Sequence, residues 1–153
     1  MNYYHYKFPI GTLCIEEENG CITGLYRDDN IGANEAETEI IKRAHQQLTE
    51  YFAGKRKVFD LPIHLEGTEF QQKVWAALQT IPYGETRTYG EIAKQIGSPK
   101  ASRAVGGANH NNPVMILVPC HRVIGANGSL VGFGGGLDMK EYLLELEKGK
   151  IEI

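Results

Sequence analysis

Cysteine is scarce in this chain. Only Cys14, Cys21 and Cys120 occur in 153 residues, and no two of them are spaced Cys-x-x-Cys. An odd count without repeated spacing argues against a disulfide framework, and the missing Cys-x-x-Cys argues against a structural zinc site, so no metal is expected. Cys14 and Cys21 flank a turn between apolar segments and read as small core residues. Long hydrophobic runs are also missing. None approaches the roughly 20 residues needed to cross a bilayer, and Met1–His5 lacks the basic-then-apolar order of a secretion signal. A cytoplasmic protein with no membrane partner is expected. Nor is there an excess of positive charge. Lys and Arg number 16 against 19 Asp and Glu, a net charge of −3. Residues 1–67 carry seven basic and eleven acidic residues, and residues 68–153 carry nine and eight. Any contact with a polyanion must therefore rest on a local patch, with modest non-specific affinity and a shallow salt dependence. The Lys55-Arg56-Lys57 cluster reads as a solvated surface rather than a clamp. There are no internal repeats and no low-complexity segments.

What is present is an ordinary globular balance, 42% hydrophobic and 23% charged. Tyr4–Phe8, Thr12–Ile15 and Cys21–Tyr26 read as strands, with Glu18-Asn19-Gly20 as a hairpin turn because Asn-Gly tolerates positive φ. A helix is expected over Glu35–Phe52, with Ile40, Ile41, Ala44, Leu48, Tyr51 and Phe52 at helical spacing. Val58–Leu65 is either one more strand or an extended crossing, and a domain boundary is expected near Glu66-Gly67. This gives domains of 1–66 and 67–153, the second mostly helical. Thr68 and Thr88 are candidate helix caps, and Ser98 caps a further helix with Pro99 at its first position. Two short helices joined at Gly97 resemble a helix-turn-helix. Met115–Val118 reads as a short buried strand, Gly125–Gly136 as a glycine-rich loop, and Asp138–Lys148 as a last helix. The fold class is α+β.

On a helix over residues 99–110, Ala101, Val105 and Ala108 share one side, while Arg103, Gly106, Gly107 and His110 share the other. Two glycines inside a helix cost roughly 2 kcal/mol relative to alanine, so something approaches that backbone closely. One candidate is a neighbouring helix of the same protein. The other is a DNA minor groove, into which a smooth surface with one projecting arginine fits. Asn112-Pro113 is either a plain helix stop or a tie between this turn and the segment that follows.

That segment is Val118-Pro119-Cys120-His121-Arg122-Val123-Ile124. Cys120 is either a buried structural residue or a nucleophile, and a nucleophile needs a base and a group that orients the base. His121 is adjacent, but neighbouring strand residues point to opposite faces. Either the backbone turns sharply here or a water relays the proton. On the last helix Glu147 falls on the extended apolar side. It is either a frayed end residue or the inward partner of His121, and in the second case it would favour imidazolium and lower the thiol pKa.

Taken together, Pro119-Cys120-His121-Arg122-Val123, preceded by Ser102-Arg103-Ala104-Val105-Gly106-Gly107-Ala108 and by Asn112-Pro113, resembles the O6-alkylguanine-DNA alkyltransferase (methylated-DNA–protein-cysteine methyltransferase) family. The match in order and spacing runs from about Phe70 to Glu147, and residues 1–66 match in outline. The resemblance implies an N-terminal ribonuclease-H-like α/β domain with an antiparallel sheet. It also implies a C-terminal winged-helix or helix-turn-helix-like domain bound to the minor groove of double-stranded DNA. Cys120 would take the alkyl group from O6-alkylguanine, with O4-alkylthymine as a second candidate lesion. His121, Glu147, Tyr89 and Asn112 would assist, and Tyr89 would also press the neighbouring phosphate. Arg103 would fill the space left by a flipped base, with Ser102, Ala104, Gly106 and Gly107 on the DNA side. Met115, Val123, Phe133, Gly134 and Gly135 would form the substrate pocket. Each molecule, a monomer, would act once without a cofactor. Vertebrate members carry proline, tyrosine and serine where Met115, Phe133 and Gly134 stand, so a roomier pocket is expected. A strong preference for methyl over butyl adducts would count against that. Two rivals remain. A cysteine hydrolase leaves the Gly-Gly helix without a role, and a DNA binder without chemistry leaves Pro-Cys-His unexplained.

Overall fold

The computed structural model describes residues 1–32, 35–128 and 136–151. The chain opens with β1 (Asn2–Phe8), β2 (Gly11–Glu18) and β3 (Cys21–Arg27), an antiparallel sheet in that order. Asn19 and Gly20 take φ of 53° and 81°, the positive pair a two-residue hairpin needs to match strand twist. Leu13, Ile15, Ile22 and Leu25 are buried in a core shared with α1 (Glu39–Phe52), which contributes Ile41, Ala44, Leu48 and Tyr51. This helix starts four residues later than the sequence suggests. Ala36 N–H donates instead to the Tyr3 carbonyl at 3.0 Å, and Glu35 and Glu37 bond to His5 and Tyr6. Pairing with β1 wins over another helical turn.

The outer edge of β3 is covered twice. Ile22 bridges Ile63, so 58–65 is an extended crossing, and Leu25 bridges Val114. The second bridge fastens the reactive segment to the sheet, through Leu25 N–H to Pro113 O (2.9 Å) and Met115 N–H to Leu25 O (3.1 Å). Residues 115–118 are therefore not the expected strand. Ile116 sits at φ 72°, and the chain doubles back so that Val118 N–H reaches Val114 O at 3.0 Å. Periodicity cannot separate a buried apolar turn from a buried strand. A β-branched residue at positive φ costs on the order of 1–3 kcal/mol, and here burial on all sides holds it in place, with Ile116 1% exposed.

In the second half, α2 (Glu69–Leu78) and α3 (Tyr89–Gln95) both begin with a capping box, Thr68 with Gln71 and Thr88 with Glu91. Gly97, at φ 81°, ends the α3 segment. Helix α4 (Ser102–His110) begins later than expected. Residues 98–101 close a turn of their own, with Ala101 N–H to Ser98 O at 2.9 Å, so Ser98 does not cap it. Trp75 Nε1–H donates to Ala108 O at 2.9 Å and locks α4 to α2. A short parallel pair, β4 (Arg87–Thr88) and β5 (Val123–Ile124), and α5 (Leu137–Glu147) complete the chain. The architecture is α+β, an antiparallel sheet with its helix followed by a mainly helical half. No helix among the described residues is long and apolar enough to cross a membrane.

Candidate active site

After Pro119 the chain turns through a single 3-10 turn, Cys120–Arg122. The backbone is sharply bent here, so the strand rule of opposed neighbours does not apply, but no direct side-chain bond from Cys120 to His121 Nδ1 forms. Cys120 is 3% exposed and lies against a cleft of about 730 Å³ that Arg27, Asp28, Asn30, Asn112 and Met115 also line. His121 is fully buried beside it. Its Nε2–H faces Glu147 Oε2 at 2.6 Å, and its Nδ1 has no hydrogen-bond partner among the described residues. The imidazole is therefore oriented by a carboxylate through one nitrogen while the other keeps its lone pair.

Glu147 is an inward residue, not a frayed end. Besides His121 it accepts from Arg122 Nε–H (2.9 Å) and Nη2–H (3.1 Å), from the Tyr51 hydroxyl (2.6 Å) and from Gly84 N–H (3.1 Å). Arg122 also donates to Ile81 O at 2.7 Å. Burial pushes the Glu147 carboxyl up, but His121 and Arg122 outweigh it and hold the carboxyl well below the usual carboxylate range. The Arg122 guanidinium, charged at every relevant pH, secures that direction. For His121 burial is the largest influence and lowers the pKa, and Glu147 only partly offsets it. Burial also pushes the Cys120 thiol up to about 11, against Asn112, the Lys140 charge and backbone N–H groups that pull it down. The resting pair is thus thiol and neutral imidazole, not the thiolate and imidazolium that the sequence suggested. Burial from both halves of the molecule is the reason.

Asn112 ties the turn together, with Nδ2–H to Val118 O at 2.7 Å and Oδ1 accepting from Val114 N–H at 3.0 Å. Tyr89, at the start of α3, is half-buried. Burial raises its pKa, the nearby Cys120 raises it further, and a hydrogen bond with Asn109 lowers it. Its phenol therefore stays protonated. Lys140 of α5 is fully buried, donates to the Val123 carbonyl and sits 5.8 Å from the Tyr89 ring centroid. Burial brings its pKa down to about 8. Val123 is buried, and its carbonyl accepts from Lys140.

Helix α4 presents Arg103, Ala104 and Gly107 to solvent, with Ser102 and Gly106 half-exposed. A methyl built on Gly106 would lie 3.9 Å from the Tyr89 ring, and one on Gly107 would have no neighbour within 4 Å. Tyr89, the first residue of α3, thus lies over Gly106, whereas Gly107 faces open space, so a neighbouring helix accounts for Gly106 but not for Gly107. Phe133, Gly134 and Gly135 lie outside the described residues.

Three contributors were not legible as site residues. Arg122 stands inside the Pro-Cys-His run, and its charge next to a buried carboxylate was the available signal. Lys140 lies seven residues before Glu147 and therefore on the same helix face. The 27–30 segment, which walls the cleft from the N-terminal half, leaves no local trace.

Two family models match the chain. The 6-O-methylguanine DNA methyltransferase, ribonuclease-like domain, covers residues 1–65, and the DNA binding domain of the same name covers residues 69–149. The chain is 53% identical over 146 residues to the methylated-DNA--protein-cysteine methyltransferase of Mycolicibacterium paratuberculosis, across 92% of this chain and 88% of that one. It is 50% identical over 159 residues to the constitutive protein of that name from Bacillus subtilis, across 97% and 96%. The crystal structure of Mycobacterium tuberculosis OGT in complex with DNA superposes with a TM-score of 0.90 at 49% identity, across 98% of this chain and 94% of that chain. With its buried Cys-His-Glu constellation and these matches over nearly its full length, the chain belongs to the 6-O-methylguanine DNA methyltransferase family.

Proposed function

We propose that this protein repairs alkylated DNA by direct reversal, moving the alkyl group of O6-alkylguanine onto Cys120 once per molecule. One observation carries the reading. Cys120 faces a cleft with a carboxylate-held imidazole behind it, next to a helix whose outer face carries Arg103 and His110 and is otherwise bare. The Cys120 proton passes to His121 Nδ1 through a water, and Glu147 and its partners steady the resulting imidazolium. The sulfur attacks the alkyl carbon in line. The S–C bond forms, the C–O6 bond breaks, and the electron pair returns to the purine. Tyr89 gives its proton to N3 of the leaving guanine, and the phenolate is reprotonated by way of His121. The balance is alkylguanine plus thiol to guanine plus thioether. The thioether is stable, no cofactor takes part, and each molecule is spent.

The lesion is reached from the minor groove, with α4 laid into it and Arg103 in the place of the flipped nucleotide. Ser102, Ala104, Gly106 and Gly107 lie along the DNA, and O4-alkylthymine is a second substrate. Met115 and Val123 bound the pocket. We divide the chain functionally at 66/67 and assign it a monomeric, cytoplasmic role.

Intact mass after incubation with an O6-methylguanine duplex tests the chemistry. One methyl gained on Cys120, and none in Cys120→Ala with DNA binding retained, is the expected result. An unchanged mass in the parent protein, or product beyond one equivalent, would sink it. Arg103→Ala should slow repair of duplex far more than reaction with the free base, and equal loss on both removes the finger assignment.

A further inference from the structure

Away from Cys120, one group of side chains has no role in alkyl transfer. His5 of β1 and Cys14 of β2 are cross-strand partners, so their side chains share a face. Asp28 follows β3 on the same side. One donor atom from each, an imidazole nitrogen, a thiol sulfur and a carboxylate oxygen, lies within 4.8 Å of the others. His5 and Cys14 are 8% and 1% exposed. His5 Nε2 is 3.0 Å from Asp28 Oδ2, and its Nδ1 bonds Glu35. Among the described residues no lysine or arginine forms an ion pair with Glu16, Asp28 or Glu35, although all three carboxylates act on Cys14. Several anionic groups thus face a single imidazole.

We infer that His5, Cys14 and Asp28 bind a transition-metal dication of the zinc type, with Glu35 orienting His5. A mixed N, S and O donor set suits such an ion. A carboxylate on the second ring nitrogen is its usual support, since it fixes the tautomer and strengthens the ligand. Here Nε2 faces the cation and Nδ1–H donates to Glu35. Cys14 loses its thiol proton to solvent as the sulfur–metal bond forms. A hollow of about 210 Å³ beside the three residues, lined also by Tyr3, Tyr26 and Asn30, leaves room for a water as fourth ligand. Asp28 borders both this hollow and the Cys120 cleft, so a bound cation fastens the 27–30 wall of that cleft to the sheet. Cys-x-x-Cys is missing because the donors come from different strands and are joined by register. A plain His5 ion pair with Asp28 and Glu35 would need no thiol, and this separates the two assignments.

The test is titration of the full chain carrying Cys120→Ser with Co²⁺ and then Zn²⁺. One equivalent of cobalt should give a thiolate-to-metal charge-transfer band that zinc abolishes. The band should survive Cys21→Ser and vanish in Cys14→Ser. Glu35→Gln should weaken cobalt binding by about 10–100-fold. Absence of the band, or its persistence in Cys14→Ser, overturns the site. Should Cys14→Ser fail to fold by circular dichroism, Asp28→Asn decides instead. Its side chain is 27% exposed, and unchanged cobalt affinity there also overturns the site. These readouts are independent of alkyl transfer.

Discussion

On the carboxylate of Glu147, five donors converge from α1, the turn at Gly84, and the His121-Arg122 pair. Removing one charge from a buried, fully bonded group costs about 3–5 kcal/mol. Glu147→Gln should therefore lower stability by that order at neutral pH and slow transfer. The pH dependence has a definite sign. The folded carboxyl titrates below its unfolded value, so its contribution is fully present above about pH 4.3 and is lost as pH falls through the folded pKa. In urea unfolding, the gap between parent and variant should narrow below that pH. A gap constant down to strongly acidic solution would mean that the charge does not stabilise the fold. At this scale the sequence was half legible. Cys120 and His121 stand side by side and Glu147 falls on an apolar arc, but the resting protonation state depends on burial that no local pattern encodes.

Helix α4 carries its information in what its surface lacks. A methyl added to Gly107 would meet nothing within 4 Å, so alanine fits the free protein and should raise stability by about 0.8–1 kcal/mol. The same methyl would stand between the backbone and the groove. Gly107→Ala should then weaken duplex binding by about tenfold, roughly 1.4 kcal/mol, read by thermal unfolding and fluorescence anisotropy on one preparation. A stabilised protein with unchanged DNA affinity would remove α4 from the interface. Periodicity and capping residues made most elements legible, including the boxes at Thr68 and Thr88. The misplaced starts of α1 and α4 have one cause. Residues that could have continued a helix instead bond elsewhere, Glu35 and Ala36 to β1 and Ser98 to Ala101.

Across the whole molecule, charge is a weak lever on DNA. The net charge is −3, and near α4 the exposed cations are Lys94, Lys100 and Arg103. Neutralising two or three phosphates gives a slope of roughly −2 to −3 for log K against log salt. A slope steeper than about −5 would place a broader basic surface against the DNA than α4 offers. The two halves share one buried apolar core, and a few long-range bonds add to it. Tyr51 to Glu147 and Leu25 to Pro113 join the sheet and its helix to the reactive turn. The N-terminal half, silent in the sequence, thereby supplies one wall of the cleft and one partner of the Glu147 carboxylate.

The sequence by itself determined the chemistry on offer, namely a cysteine followed by a histidine, a glycine-bare helix with one arginine, a glutamate on the apolar arc of the last helix and an Asn-Gly hairpin, because each rests on residue type and short spacing. Tertiary structure alone decided how those groups are used. Burial set the protonation of Cys120 and His121, the sheet edge and Ile116 bent an apolar run into a turn, and strand register put His5 opposite Cys14. Solvent exclusion and contacts between distant segments are properties of the folded chain, and no window of sequence contains them.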